Sequence, residues 1–178
     1  PGQVAYIIDN YYTNVAVQRI KGLDLRLSYR QELPAGAILA GIEGSWLHSR
    51  QKNGSGFDYF DLAGTIWNPP SVRMRATAGW DGHRVKALAY LNYLGGVQDR
   101  RTLPYRNGAS MVTVDLSFSY STPSNAGWLQ GLRAGLVIEN LFDEKPPYLT
   151  PAAFAEPYDS TNYSPIGRYV AISLGKSF

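Results

Sequence analysis

Seven segments of the chain alternate apolar and polar residues with a period of two, the pattern of strands whose two faces meet different surroundings. In the most regular of them, Val114 and Leu116 flank Asp115. The segments cover residues 22–31, 38–46, 72–81, 84–93, 112–120, 132–139 and 169–175. The pattern predicts an all-β chain in which each strand has one apolar and one polar face.

The connections between these segments alternate in length. Short turns are predicted at 33–36, 81–83 and 121–130, and long loops at 51–70, 95–109 and 143–166. Asp81-Gly82 is a strong signal for a tight hairpin. All turns therefore lie at one end of an antiparallel sheet and all long loops at the other, as in outer-membrane barrels.

Strand length and charge placement favour a transmembrane barrel over a soluble sheet. The segments run to about 9–12 residues, whereas soluble strands have about 5–6, and a bilayer needs about 9–11. The apolar faces carry no charge before Lys176 at the end of the last strand, while Asp, Glu, Arg or Lys recur on the opposite faces. Large aromatic residues, among them Trp46, Trp80 and Tyr93, stand at the ends of apolar faces, where amphipathic rings meet lipid headgroups.

Composition narrows the alternatives. No apolar run approaches the roughly 20 residues of a membrane-spanning helix. Cysteine is absent, which excludes disulfides and thiolate metal sites. The net charge of +3 comes from scattered basic residues, so nucleic acid is not expected as a partner.

The chain is expected to be part of a larger barrel. It begins at Pro1, so a processed or partial chain is expected. Seven crossings that end in the periplasm would place residues 1–14 outside the cell, whereas a complete bacterial barrel has an even number of strands. Residues 4–8 are a candidate for the upper end of a further, incomplete strand.

Three motifs resemble one known family. Asn140-Leu141-Phe142-Asp143, followed by Pro146-Pro147-Tyr148, resembles the "NLFD…PP" segment of TonB-dependent receptors. The tail from Asn162 to Phe178 is similar to their last loop and strand, and Gly22-Leu23-Asp24-Leu25 with Ser28-Tyr29 is similar to a strand about seven crossings from the end. Together these pieces span almost the whole chain.

The resemblance implies an antiparallel transmembrane β-barrel, of which residues 1–178 would be the C-terminal seven or eight of 22 strands. The plug domain and the earlier strands would lie outside this sequence. Such receptors import scarce small-molecule ligands, often ferric siderophores, across the bacterial outer membrane with energy supplied through the TonB complex and the plug. The expected partners are outer-membrane lipid and lipopolysaccharide, the plug, and the barrel assembly machinery. Phe178, in phase with Ile172 and Leu174, would be the membrane anchor and assembly signal.

The charged residues of the polar faces are the predicted lumen wall. They are Arg26, Arg30, Glu43, Arg73, Arg75, Asp115, Arg133 and Glu139. A hydrated wall with cross-strand ion pairs explains most of them, and contact with ligand or plug is the alternative. Arg73, Arg75, Arg84 and Lys86 are expected near one periplasmic turn, facing the plug or water.

Aromatic residues of the long loops are the candidate ligand site, since rings of this kind stack on conjugated or sugar ligands. They are Tyr59, Phe60, Trp67, Tyr105, Tyr148, Tyr158 and Tyr163. Tyr11, Tyr12, Phe57 and Phe154 belong to the same group. Loop packing and contact with lipopolysaccharide are the competing interpretation.

An enzyme is not expected. His48 and His83 fall at opposite ends of the predicted sheet, and no nucleophile-elbow or metalloprotease motif is present. The loop carboxylates lack the spacing of a calcium site, so neither a metal nor a cofactor is predicted. Two other hypotheses remain open: a passive channel or small closed barrel, in which residues 4–9 add an eighth strand, and a soluble β-sandwich that binds a ligand.

Overall fold

The computed structural model describes residues 16–54, 56–123, 125–150 and 155–177. In these residues the chain forms ten strands and one short 3-10 turn, Gly127–Leu129, and no α-helix. The strands are β1 (Val17–Leu33), β2 (Gly36–Lys52), β3 (Phe60–Asp61), β4 (Val72–Gly82), β5 (Val85–Leu94), β6 (Gln98–Asp99), β7 (Arg106–Asn107), β8 (Met111–Ser121), β9 (Leu132–Glu139) and β10 (Tyr169–Lys176). The all-β prediction is confirmed.

The seven long strands form one antiparallel sheet in the order β1-β2-β4-β5-β8-β9-β10. Each long strand pairs with the next long strand along the chain, so the sheet is a meander. Each of these strands overlaps one of the seven predicted segments, but β1 begins at Val17 and β2 ends at Lys52, beyond the predicted segments 22–31 and 38–46. β1 and β10 are its edges and do not pair with each other in the described part of the chain, so the sheet there is open. Residues 4–9, proposed as an additional strand, lie outside the described residues, as does Phe178.

The register aligns the predicted faces across the whole sheet. Leu23 lies opposite Trp46, which lies opposite Val72. At the other side, Leu116 lies opposite Ile138, which lies opposite Val170. Because directly opposed residues of an antiparallel pair project to the same side, the apolar faces of the seven strands make one continuous surface, called here the apolar face. The other surface is the polar face.

The two ends of the sheet differ as predicted. The connections β1–β2 and β4–β5 are tight, and residues 122–131 link β8 to β9. We call this the turn end. The opposite loop end carries the long connections, which contain β3 and the β6–β7 hairpin, two features that were not predicted. In the described residues no helix is long and apolar enough to cross a membrane.

The three long loops pack on one another at the loop end. Ile66, Val97 and Leu149, one from each loop, form a small buried core. The backbone of Ile66 donates to the carbonyl of Gln98, and that of Leu149 donates to the carbonyl of Pro157. The loops therefore form a defined layer above the sheet, called here the loop layer.

Candidate functional site

A chain of side-chain hydrogen bonds crosses the polar face near the loop end. Arg75 on β4 donates through Nε to Asn92 Oδ1 on β5 at 2.6 Å. Asn92 donates to Asp115 Oδ2 on β8 at 2.7 Å, and Asp115 Oδ1 accepts the backbone N–H of Asn140 at 2.8 Å. The strand register places these residues side by side, since Arg75 is opposite Asn92 and Asp115 lies two residues from the partner of Asn92.

Asn140 connects this hydrogen-bond chain to the loop after β9. Its side chain accepts the N–H of Glu144 at 2.9 Å and donates to the Glu144 carbonyl at 2.8 Å. Asn140 has a φ of 52°, in the left-handed region that asparagine tolerates better than most residues. The Asn140-Leu141-Phe142-Asp143 motif is therefore a turn held to the polar face through Asp115.

Further ion pairs lie on the same face. Arg26 on β1 pairs with Glu43 on β2 at 3.2 Å. At the turn end, the Asp81 carboxylate forms ion pairs with Arg30 at 3.0 Å and with Lys86 at 2.8 Å. Exposed ion pairs of this kind add little to the stability of the sheet because water screens them, but they determine which charged side chains lie next to one another.

The expectation that Arg73, Arg75, Arg84 and Lys86 cluster near one turn is wrong. Arg84 and Lys86 do lie at the turn end, next to the β4–β5 connection. Arg73 and Arg75 begin β4 at the loop end, opposite Leu94 and Asn92. β4 begins after a long loop and reaches the turn only at Gly82. The basic residues near its start are therefore about 25 Å of extended strand away from Gly82.

The polar face is concave. One open groove of about 1070 Å³ has lining residues from all seven long strands and from the last loop. Arg26, Glu43, Arg73, Arg75, Asp115 and Glu139, six of the eight predicted lumen residues, line it together with Asn92 and Asn162. Arg30 and Arg133 lie on the same face but toward the turn end and do not line this groove.

The loop layer is organised around a buried carboxylate. Asp159 is 0% exposed. Its Oδ2 accepts the backbone N–H of Trp67 at 3.1 Å and the side-chain amide of Asn162 at 2.7 Å. Its Oδ1 accepts the N–H of Thr161 at 3.0 Å. Because a buried carboxylate needs several donors, Asp159 holds the first and third long loops together.

A second buried pair joins the middle loop to the third. Asp99 and Arg101 form a salt bridge at 2.9 Å, with both side chains almost fully buried. Arg101 also donates to the carbonyl of Glu156 at 3.0 Å. The Arg101 guanidinium lowers the pKa of Asp99 below its ordinary value by hydrogen bonding, and the Asp99 carboxylate raises the pKa of Arg101.

The aromatic residues predicted to bind ligand have different surroundings. Two cations lie over the ring of Tyr59, with Arg19 at 4.8 Å and Lys52 at 5.9 Å from the ring centroid. The Arg101 guanidinium lies 5.6 Å from the ring centroid of Trp67, and the Arg100 guanidinium lies 5.8 Å from the ring centroid of Tyr105. Among the others, Tyr148 is the most exposed, Phe60 is exposed in β3, and Tyr158 is half-buried.

Tyr163 belongs to both the loop layer and the groove. It is 5% exposed, and its hydroxyl donates to the Gly95 carbonyl at 3.3 Å. Burial raises its pKa, and the nearby Asp159 adds to the shift. Tyr163 also lines the groove, so it lies where the loop layer meets the groove. Tyr11, Tyr12 and Phe154 lie outside the described residues.

The connecting roles of several residues were not predicted from the sequence. Asn92, Asp159 and Asn162 make the contacts that connect strands and loops, yet no spacing marks them for this role. Asn140 was noted only as part of a family motif, although an Asn that ends an alternating segment is also a turn signal. In the described part of the chain no three His, Asp or Glu side chains come together as metal ligands. His48 and His83 lie at opposite ends of the sheet.

Comparison with known proteins gives no relative for this chain: no family model, curated protein or solved structure matches it.

Proposed function

We propose that this chain is the C-terminal part of the transmembrane β-barrel of a TonB-dependent receptor, which takes up a scarce small-molecule ligand across the bacterial outer membrane. The motifs at Asn140 and at the chain's end suggest this family. The proposed ligand class is a ferric siderophore or a nutrient of similar rarity. The chain supplies wall and loops, and energy reaches the ligand through the plug and the TonB complex.

The observation that carries the proposal is the exposed apolar face. Large apolar side chains remain exposed along it, from Leu25 at 54% on β1 to Ile172 at 75% on β10. A soluble monomer rarely exposes a contiguous apolar patch of more than a few hundred Å². Acyl chains would cover this face and remove its large side chains from water. This burial would stabilise the inserted protein by about 25 cal/mol per Å² of apolar surface covered.

The concave polar face fits the wall of a hydrated lumen. Its charges pair across strands, as Arg26 does with Glu43, and its groove faces away from the apolar face. The lumen of a receptor must accept a polar ligand and a plug, and paired charges of both signs suit water and polar surfaces. In this proposal β1 and β10 pair with the other strands of the barrel, because an unpaired strand edge in hydrocarbon costs several kcal/mol per backbone group.

The loop layer fits an outer vestibule. Its backbone is held by Asp159 and by the Asp99–Arg101 pair, while Trp67, Tyr105 and Tyr148 keep exposed ring surface. Rigid aromatic side chains bind planar or sugar-like ligands at low entropic cost. The vestibule would therefore capture ligand before the plug moves.

Cysteine labelling tests the membrane orientation directly, since the sequence contains no native cysteine. Single cysteines replace Leu25 and Val114 on the apolar face and, as matched controls, Asp24 and Thr113 on the polar face. In the host's outer membrane, we expect a lipid-soluble fluorescence quencher to reach probes at the first pair and an aqueous quencher to reach the second. The reverse result, or equal quenching from both phases, would exclude a membrane-spanning sheet.

Uptake tests the receptor activity separately. Deleting the gene should abolish accumulation of one radiolabelled ferric siderophore from a panel supplied to iron-starved cells, and a protonophore should do the same in wild-type cells. Uptake that requires the gene but persists with the protonophore would instead identify a passive channel.

A further inference from the structure

β1 and β2 extend past the rest of the sheet at the loop end. β2 pairs with β4 only from Gly36 to Trp46. Residues 47–52 continue as a strand paired with residues 17–22 of β1. This part, called here the hairpin extension, makes β1 and β2 17 residues long, whereas the other long strands have 8–11. On the edge of β2 that faces away from β1, the short strand β3 pairs with Arg50 and Gln51.

The charged side of the two strands switches within the extension. Lys21 lies opposite His48, and Arg19 lies opposite Arg50. These pairs continue the phase of Leu23 and Trp46, so they lie on the side of the apolar face. The side that continues the polar face carries uncharged residues here, in the pairs Gln18–Gln51, Ile20–Ser49 and Gly22–Leu47. The basic cluster consists of Arg19, Lys21, His48, Arg50 and Lys52.

The charge of the basic cluster is only partly compensated within the described residues. Asp61 accepts from Arg50 at 3.1 Å. Arg19 and Lys52 share the ring of Tyr59, and Lys21 has no hydrogen bond or ion pair with the described residues. Like charges directly opposite one another across a strand pair destabilise it. An anion bound on this side would remove that repulsion.

The position of the cluster suggests which anion. Trp46 ends the apolar face of β2, as interfacial tryptophans do. Lys21 and His48 lie two residues farther along, about 7 Å, and Arg19 and Arg50 about 13 Å. The headgroup layer begins where the hydrocarbon core ends, so the cluster is level with headgroups whenever the apolar face is covered by acyl chains.

We propose that the basic cluster binds the phosphate groups of an anionic lipid of the outer leaflet. This inference rests on the proposed function, because it needs the apolar face to lie in the membrane. Guanidinium groups form paired hydrogen bonds with phosphate oxygens, and the lysine chains extend along apolar surface to reach them. The bound lipid would cover the part of this side of the hairpin extension that Tyr59 and Asp61 leave open.

The test compares two variants of equal charge. Arg19→Gln/Lys21→Gln removes two charges from the cluster, and Arg84→Gln/Arg133→Gln removes two from the turn end and polar face. The protein as its host makes it is placed in phosphatidylcholine vesicles with or without lipid A. Energy transfer from its tryptophans to fluorescent lipid A gives the affinity. We expect about fivefold weaker binding per cluster residue removed, and no change in the control variant.

Four outcomes would overturn the proposal, each at a different step. Equal affinity of both variants would exclude the cluster as the site. Displacement of lipid A by inorganic phosphate at equal concentration would identify a site for free phosphate instead. Carbonate extraction separates the two levels of inference: protein that resists extraction from phosphatidylcholine but shows no preference for lipid A overturns this inference alone, whereas protein extracted from every vesicle overturns the proposed function as well.

Discussion

The side-chain amide of Asn92 donates a hydrogen bond of 2.7 Å to the carboxylate of Asp115. This contact joins β5 to β8, and the other oxygen of Asp115 holds the N–H of Asn140. One carboxylate therefore connects the polar face of the sheet to the turn that begins the third long loop. The polar face and the loop layer are therefore connected through this one side chain.

Replacing Asp115 with alanine should loosen that turn. Both donors, Asn92 and the buried Asn140 N–H, would lose a charged acceptor, at a cost of about 1.5–3 kcal/mol. Amide hydrogen exchange should show faster opening at Asn140 and Glu144, whose N–H groups depend on this anchor. The control is Ser117→Ala, on the same strand and face, which should leave both rates unchanged. Unchanged exchange in Asp115→Ala would show that the turn is held by other contacts.

Two adjacent positions on β8 separate the faces energetically. Val114→Arg would place a charge in the middle of the apolar face and should destabilise the protein in a bilayer by about 2–4 kcal/mol. Thr113→Arg faces the groove and loses one long hydrogen bond from Asn92, of 3.2 Å, so its cost should stay within about 1 kcal/mol. Equilibrium refolding into vesicles gives both values. Equal costs would contradict the assignment of the faces.

Gly36 is a position where only glycine fits. It has a φ of 149°, and a Cβ there would lie 2.6 Å from the Gly82 Cα and 2.7 Å from the Asp81 carbonyl oxygen. Backbone atoms cannot turn aside, so Gly36→Ala should destabilise the turn end by about 1–3 kcal/mol. Gly175→Ala, where nothing lies within 4 Å, is the matched control. The midpoints of denaturant unfolding compare the two variants. Similar midpoints would mean that the β1–β2 and β4–β5 connections can move apart at little cost.

The strands and their faces could be predicted because period-two alternation is a local property. Once Leu23, Val114 and Ile172 are assigned to apolar faces, consecutive antiparallel pairing aligns them without further information. The location of Arg73 and Arg75 was misjudged for a different reason. Few residues separate them from Gly82, but ten residues of extended strand span the full height of the sheet.

The loop layer could not be predicted, because its contacts join distant residues of irregular backbone. Asp159 binds the N–H of Trp67, 92 residues away along the chain. The composition around Asp159 is that of any polar loop, and nothing marks it as buried. Tyr163 illustrates the same limit: the sequence left open whether this loop aromatic contacts a ligand or packs within the loops, and its hydroxyl lies against Gly95 beneath the loops.

Acid should open the loop layer through Asp99. The pKa of this carboxylate is lowered mainly by its hydrogen bond with Arg101, so its contribution to stability is fully present above the ordinary carboxyl pKa of about 3.9. That contribution is lost as the pH falls through the lower pKa of the folded state. Exchange of the Ile66 amide, which bonds to Gln98 next to Asp99, reports the opening. Asp99→Asn should already open faster at neutral pH and respond little to acid, while Asp58→Asn, at an exposed loop position, should behave as wild type. An acid response of Ile66 that survives in Asp99→Asn would assign the opening to another carboxylate.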